Sequence, residues 1–255
     1  MSNRYIAVLL LSLAAAGPTR ADSILEFQTT EFGGGQPIVG TVQISTSGSD
    51  TRVEIISVSS AEAGGMIYHG DRKEMIILDH AQGSYMVIDK QQMDAMAGMP
   101  PEQTMQQQAL AKPRQRSPDT INDLHSHGEV AGIPCDNYEV IRDGRKIREL
   151  CVSDWADIHG GQETANAIKG VADFFEGLRQ ANSSAGDMDV FDRQQELFEN
   201  MEQLDGYPVL YRDFSASGSL ERQTLLTGAR EESLGSGFFN PPPSYQLQEL
   251  PQGVN

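Results

Sequence analysis

The sequence predicts an α+β fold: an antiparallel β-sheet of about eleven short strands, interrupted by two helical insertions. Three observations predict it. Between residues 24 and 89, short runs of alternating apolar and polar residues are separated by Gly-, Ser- and Asp-containing turns, the pattern of a β-meander. Over 164–180 and 190–204, apolar residues recur at steps of three and four, as on one face of a helix. From residue 207 the period-two pattern returns. A sheet this large is expected to curl.

The strands read in order as ILEFQTT (24–30), PIVGTVQIS (37–45), TRVEIISV (51–58), GMIYHG (65–70), KEMIILD (73–79) and SYMVID (84–89). Residues 91–119 break the rhythm. They are rich in Gln, Met and Pro, with Met93 and Met96 at helical spacing and Pro100-Pro101 to stop a helix, and they read as a flexible insertion. Strands resume at about 127–131 and in the hairpin 135–152. In the first helix Ile168, Val171, Phe175 and Leu178 form a stripe, with Phe174 beside it. In the second the stripe is Val190, Leu197, Met201 and Leu204, flanked by Phe198, with Asp189 as N-cap and Gly206 as stop. YPVLYRDF (207–214) and LERQTLLTGAREE (220–232) are strands, and FFNPPPSYQLQEL (238–250) closes the chain.

At the start, Arg4, an uncharged apolar run over 5–17 and small residues at Thr19 and Ala21 read as a secretory signal peptide, residues 1–21, cleaved before Asp22. The run is shorter than the roughly 20 residues of a spanning helix. The expectation is an exported, soluble, single domain over 22–255, in the periplasm or the extracellular medium. The chain has 19 Lys and Arg against 36 Asp and Glu, a net charge of −17, and loss of Arg4 and Arg20 makes it more acidic. That balance excludes nucleic-acid binding through phosphates, which needs a basic face. It also opposes long-range attraction to anionic membranes.

Two cysteines, Cys135 and Cys151, flank an Asp143-Gly144 turn signal. A three-residue loop Arg142-Asp143-Gly144 pairs Ile141 with Arg145 and brings Cys135 opposite Cys151, close enough to bridge. Export permits the disulfide. The spacing is not Cys-x-x-Cys, so the bridge is a staple and not a redox pair.

The segments GMIYHGDRKEMIILDHAQGSYMVID, GIPCDNYEVIRDGRKIRELCVSDW, GYPVLYRDF and FNPPPSYQ resemble the bacterial family of unknown function DUF4412. More loosely, the same strand order and closing Phe-x-Pro-Pro-x-x-Tyr segment are similar to the periplasmic lipoprotein-carrier (LolA-like) fold. The resemblance implies a strongly curved, incompletely closed antiparallel half-barrel with helices covering its concave face. It also implies a carrier of acyl chains or a sensor of envelope stress, and it brings no catalytic residues. At Cys151 the chain departs from the resemblance, because relatives tend to carry Trp there.

No nucleophile or metal motif surrounds His69, His80, His125, His127 or His159, and the carboxylates are abundant without forming a marked acid–base pair, so no enzyme and no cofactor are expected. Phe174, Phe175, Leu178, Phe191 and Phe198, with the Met-rich segment, are the candidate lining for an apolar ligand such as an acyl chain or a lipidated peptide. Ordinary core packing is the competing account of the same residues. A different class is an envelope structural or sensory protein that binds a protein partner through a sheet edge or its helices. A third is a copper-binding protein using Met93, Met96, Met99 and Met105 with His125 and His127, whose rings would share one strand face.

Overall fold

The structure is a computed structural model that describes residues 22–33, 35–57, 64–89, 118–181, 203–235 and 237–248. The alternating runs form β1 (Asp22–Glu31), β2 (Ile38–Ser47), β3 (Asp50–Ser57), β4 (Gly64–His69), β5 (Glu74–Asp79) and β6 (Ser84–Ile88). After them come β7 (Thr120–Val130), β8 (Ile133–Arg142), β9 (Arg145–Ser153), β10 (Tyr207–Phe214), β11 (Leu220–Glu232) and the two-residue β12 (Gln246–Leu247). All belong to one sheet of order β12-β6-β5-β4-β3-β2-β1-β11-β10-β9-β8-β7. Eleven strands pair antiparallel, and β12 adds to β6 in parallel. The sheet is curved and unclosed, and β7 bends back far enough to touch β11.

Bulges between Glu26 and Phe27 on β1/β11 and between Pro208 and Leu210 on β10/β9 help this bending. An extra residue raises the local right-handed twist. The turn between β8 and β9 corrects the expected hairpin. Asp143 and Gly144 both have positive φ (51° and 72°), so the loop has two residues and Arg142 faces Arg145. Asp-Gly is the pair that tolerates this turn. With a further bulge at Val140/Ile141, Cys151 faces Asn137 rather than Cys135. The two sulfurs nevertheless lie at bonding distance, with Cα atoms 5.3 Å apart. They meet on the diagonal of the twisted ladder, not directly across it. A second correction concerns β7, which begins at Thr120, about seven residues before the expected start.

One helix is described: α1 (Gly161–Ala181), entered through a 3-10 turn at Trp155–Asp157 and a left-handed Gly160 (φ 67°). A side chain at Gly160 would collide with Ser23. The helix packs on β1, β2 and β3. Its buried residues are Thr164, Ala167, Ile168, Val171 and Phe174, whereas Phe175 is half-buried. The stripe therefore runs through Phe174, which the sequence placed at its flank. A Cβ at Gly170 would sit 3.3 Å from the Tyr68 ring, so glycine lets the helix approach β4 closely. The second expected helix (190–204), apart from Gln203 and Leu204, lies outside the described residues. So do the signal peptide, all of the 91–119 insertion except Pro118 and Asp119, and the loop 182–187.

Candidate functional site

The strand registers sort the face under α1 into rows. At one end is a hydroxyl row. Ser23 Oγ is hydrogen-bonded to Thr46 Oγ1 and lies 2.9 Å from Thr164 Oγ1 of α1, and all three residues are buried. Neighbouring registers place Tyr68 opposite Thr51 in the same row. Tyr68 is 1% exposed and meets Phe174 at 5.5 Å between ring centroids. Val171 and Met75 complete that cluster, with Met66, Ile77, Ile88 and Phe175 at its border. On the β1 side, Ile168 packs into the largest core cluster with Leu25, Phe27, Tyr207, Val209 and Leu226.

Beyond the helix the face stays apolar, and its side chains are less buried. Met66, Val53, Ile44 and Leu25 are successive cross-strand partners, as are Ile55, Val42, Phe27 and Leu226. Val42, Ile44, Val53 and Met66 are half-buried and Ile55 is 46% exposed. Next comes Thr29, whose hydroxyl lies 2.9 Å from that of Thr224, with Tyr211 opposite Thr224. Burial pushes the Tyr211 hydroxyl up, against the opposing pull of its hydrogen bond to Thr224 and of Arg222. The last row runs Glu31, Arg222, Asp213, Arg148. Arg148 Nε donates to Asp213 Oδ1 (2.7 Å), and Arg222 donates to Asp213 Oδ2 through Nε (3.1 Å) and Nη2 (2.9 Å).

Of the candidate lining residues, Phe174 is buried against Tyr68 and Phe175 meets Phe174 edge-on at 6.1 Å. Leu178 belongs to α1, but its side chain lies outside the described residues, as do Phe191 and Phe198. The aliphatic rows and the Arg222–Asp213–Arg148 row were not singled out from the sequence. A charged residue inside an otherwise apolar alternation, such as Arg148 in KIRELCV, was the available signal.

Elsewhere, a cavity of about 190 Å³ is lined by Asp136, Tyr138, Val152, Asp154, Asp157 and Asp205, among others. Burial, then the charges of Asp123, Asp136 and Asp154, push the Tyr138 hydroxyl up. His125 and His127 do not present a shared face. His125 sits at φ 50° inside the bulge between Asp123 and His127 and pairs with Asp123, while His127 Nδ1 lies 2.5 Å from Asp136. Met93, Met96, Met99 and Met105 lie outside the described residues, and among the described residues no group of three or more His, Cys, Asp or Glu could hold a metal ion. No described helix is long and apolar enough to cross a membrane.

No family model matches the chain and no curated protein does, so membership of DUF4412 is not shown. Among solved structures, the chain is similar to an uncharacterized conserved protein from Thermus thermophilus, at 7% identity over 89% of this chain and 90% of that one, with a TM-score of 0.45. It is also similar to the MucA/MucB complex structure of Pseudomonas aeruginosa (8% identity, 88% of this chain, 57% of that one, TM-score 0.38). A LolA superfamily protein from Nitrosomonas europaea matches at 8% identity over 87% and 91% of the two chains, with a TM-score of 0.30. None of these scores carries an activity or a ligand across to this chain.

Proposed function

We propose that this chain is a non-enzymatic binding or carrier protein of the bacterial envelope, exported to the periplasm, whose guest is an acyl chain or a lipidated peptide. In this reading α1 lies in the concavity of the curved sheet and fills only part of it. The observation that carries the reading is the apolar surface past the helix. Val42, Ile44, Val53 and Met66 continue the core of α1 while only half-buried, and Ile55 is 46% exposed. Aliphatic side chains left partly in water on the same face as a packed core gain about 25 cal/mol for each Å² that a guest covers. Phe174 is core and Phe175 is the rim between core and guest. Native mass spectrometry of protein purified from the periplasm, followed by lipid extraction, tests the reading. A co-purified acyl species supports it. An apo mass, together with no uptake of an added fluorescent fatty acid, overturns it.

A partner-binding role is the second reading, favoured by β7. That strand is exposed along most of its length, with Leu124 44% in solvent, and β8 is its one ladder partner among the described residues. Pull-down with periplasmic extract, compared between the wild type and Leu124→Asp, separates this reading from the first, which predicts no change in acyl binding.

A further inference from the structure

Resting on the partner-binding reading, we infer that the partner is a basic, extended peptide segment. It adds as a strand to the free edge of β7, with its Lys or Arg side chains on the acidic side of that strand, beside Asp123.

A strand that ends a sheet presents a row of N–H and C=O groups without a ladder partner, and an extended peptide can complete it. β7 ends the sheet, with β8 on one side and, among the described residues, no strand on the other. Residues 120–127 are exposed apart from the half-buried Ile121, so the touch of β7 on β11 leaves this stretch open.

The register fixes which side chains flank the edge. Asp123 faces Tyr138, His127 faces Asp136 and Glu129 faces Pro134, all on the face that carries Leu150 and Val152. Behind the edge, the cavity of about 190 Å³ has Asp136, Asp154, Asp157 and Asp205 in its wall. Among the described residues no Lys or Arg pairs with these four carboxylates, nor with Asp123 or Glu129. The partners are imidazoles instead, His125 for Asp123 and His127 for Asp136. Elsewhere the chain holds its carboxylates with its own cations: Glu54 with Arg52, Asp119 with Arg142, Asp213 with Arg148 and Arg222. Burial and then Asp123, Asp136 and Asp154 push the Tyr138 hydroxyl up, so these negative charges act on one place.

The charge selects the occupant. A second copy of this chain, at a net charge of −17, would be repelled from this edge, whereas a basic segment is attracted to it. An added strand sets alternate side chains on the acidic face at the two-residue step of β7 itself. Leu124, 44% exposed in the bulge between Asp123 and His127, offers an apolar contact beside them.

Fluorescence anisotropy of the full exported protein with labelled short peptides tests the inference. The probes are a peptide alternating Lys and Thr, its Glu and Thr counterpart, and the Lys and Thr peptide N-methylated at alternate backbone nitrogens. The Lys peptide should bind saturably and at least about tenfold more tightly than the Glu peptide, the scale of one charge-assisted contact. N-methylation, which keeps the charge and removes backbone donors, should abolish binding. Asp123→Asn keeps the acceptor that the His125 N–H uses and removes only the charge. It should weaken binding several-fold, while Glu163→Gln, at the start of α1, should not. If the N-methylated peptide binds as well, or Glu163→Gln costs as much as Asp123→Asn, the attraction is diffuse and strand addition is overturned. If the Lys peptide does not bind, yet Leu124→Asp removes a captured periplasmic protein, the basic segment is overturned while the partner reading stands. If neither occurs, both fail.

Discussion

The two faces of β3–β5 are covered in opposite ways. On one, α1 lays Val171 and Phe174 against Tyr68 and Met75. On the other, the closing segment 237–248 packs Phe239 on Ile67, Ile76 and Leu78 and is tied by directional bonds. Arg52 donates to the carbonyl of Phe238 (2.6 Å) and stacks over its ring. Glu54 joins Arg52 to His80, whose other nitrogen lies 2.7 Å from the Tyr245 hydroxyl. A carboxylate only accepts, so His80 Nε2–H donates to Glu54 and, in the neutral ring, Nδ1 accepts from Tyr245. Backbone bonds from Gln246 to Gly83 and from Gln248 to Tyr85 finish the edge. Hydrogen bonds demand one partner in one place, whereas apolar contact accepts any apolar surface of the right shape. The closing segment is held by several directional bonds, whereas over β4 and β5 α1 is held by apolar contact.

The largest expected effect breaks the α1 side. Tyr68→Ala removes a fully buried ring beneath Gly170 and Phe174. It should cost about 3–5 kcal/mol in urea unfolding, as for other buried aromatic truncations. A loss under ~1 kcal/mol is incompatible with α1 being seated on β4. Reduction, or Cys135→Ser, comes next. The bridge spans 16 positions, for which the chain-entropy model gives about 3 kcal/mol. Peptide mapping without reductant must find Cys135 and Cys151 joined, and two free thiols in the exported protein would refute the staple.

The bridge also illustrates what the sequence could reveal. Strands β10 and β11 were legible to the residue, because their alternation is clean and Ser217-Gly218 marks the turn. The disulfide was legible too, but through the wrong register: Asp-Gly admits a two-residue and a three-residue loop, and only the backbone twist decides between them. The start of β7 was hidden because, apart from the half-buried Ile121, residues 120–127 are exposed and show no apolar period to read. On α1, periodicity alone put Phe175 on the stripe. In the structure Thr164, Ala167, Ile168, Val171 and Phe174 are the buried side chains, and Phe175 is half-buried. The Arg222–Asp213–Arg148 row joins three strands separated by up to 74 positions, so it exists only once the sheet is paired.

A smaller effect sharpens the other face. Tyr245→Phe deletes one hydroxyl at the end of the Arg52–Glu54–His80 chain. The net contribution of such a bond is about 1 kcal/mol. Amide exchange at Gln246 and Gln248 should accelerate, while apolar-probe uptake should not change. Altered uptake would mean that the two faces are coupled and that their division of roles is wrong.

The smallest effect is a pH dependence at Glu149 on β9. Burial works to raise the Glu149 carboxyl, but hydrogen bonds and charges from Lys146 and Arg212 outweigh it, so the folded value lies below the usual 4.5. A depressed carboxylate contributes stability that is present above the unfolded value and is lost as pH falls through the folded one. Wild type should therefore exceed Glu149→Gln in stability at pH 7, and the lead should shrink as pH drops below about 4.5. The Glu149 side chain is half-buried and keeps contact with solvent, so screening holds the lead in the ~0.2–1 kcal/mol range and it should diminish with added salt. Chemical unfolding of both proteins between pH 7 and pH 3 measures it. A lead that grew on acidification would reverse the sign and show that burial, not Lys146 and Arg212, governs this carboxyl.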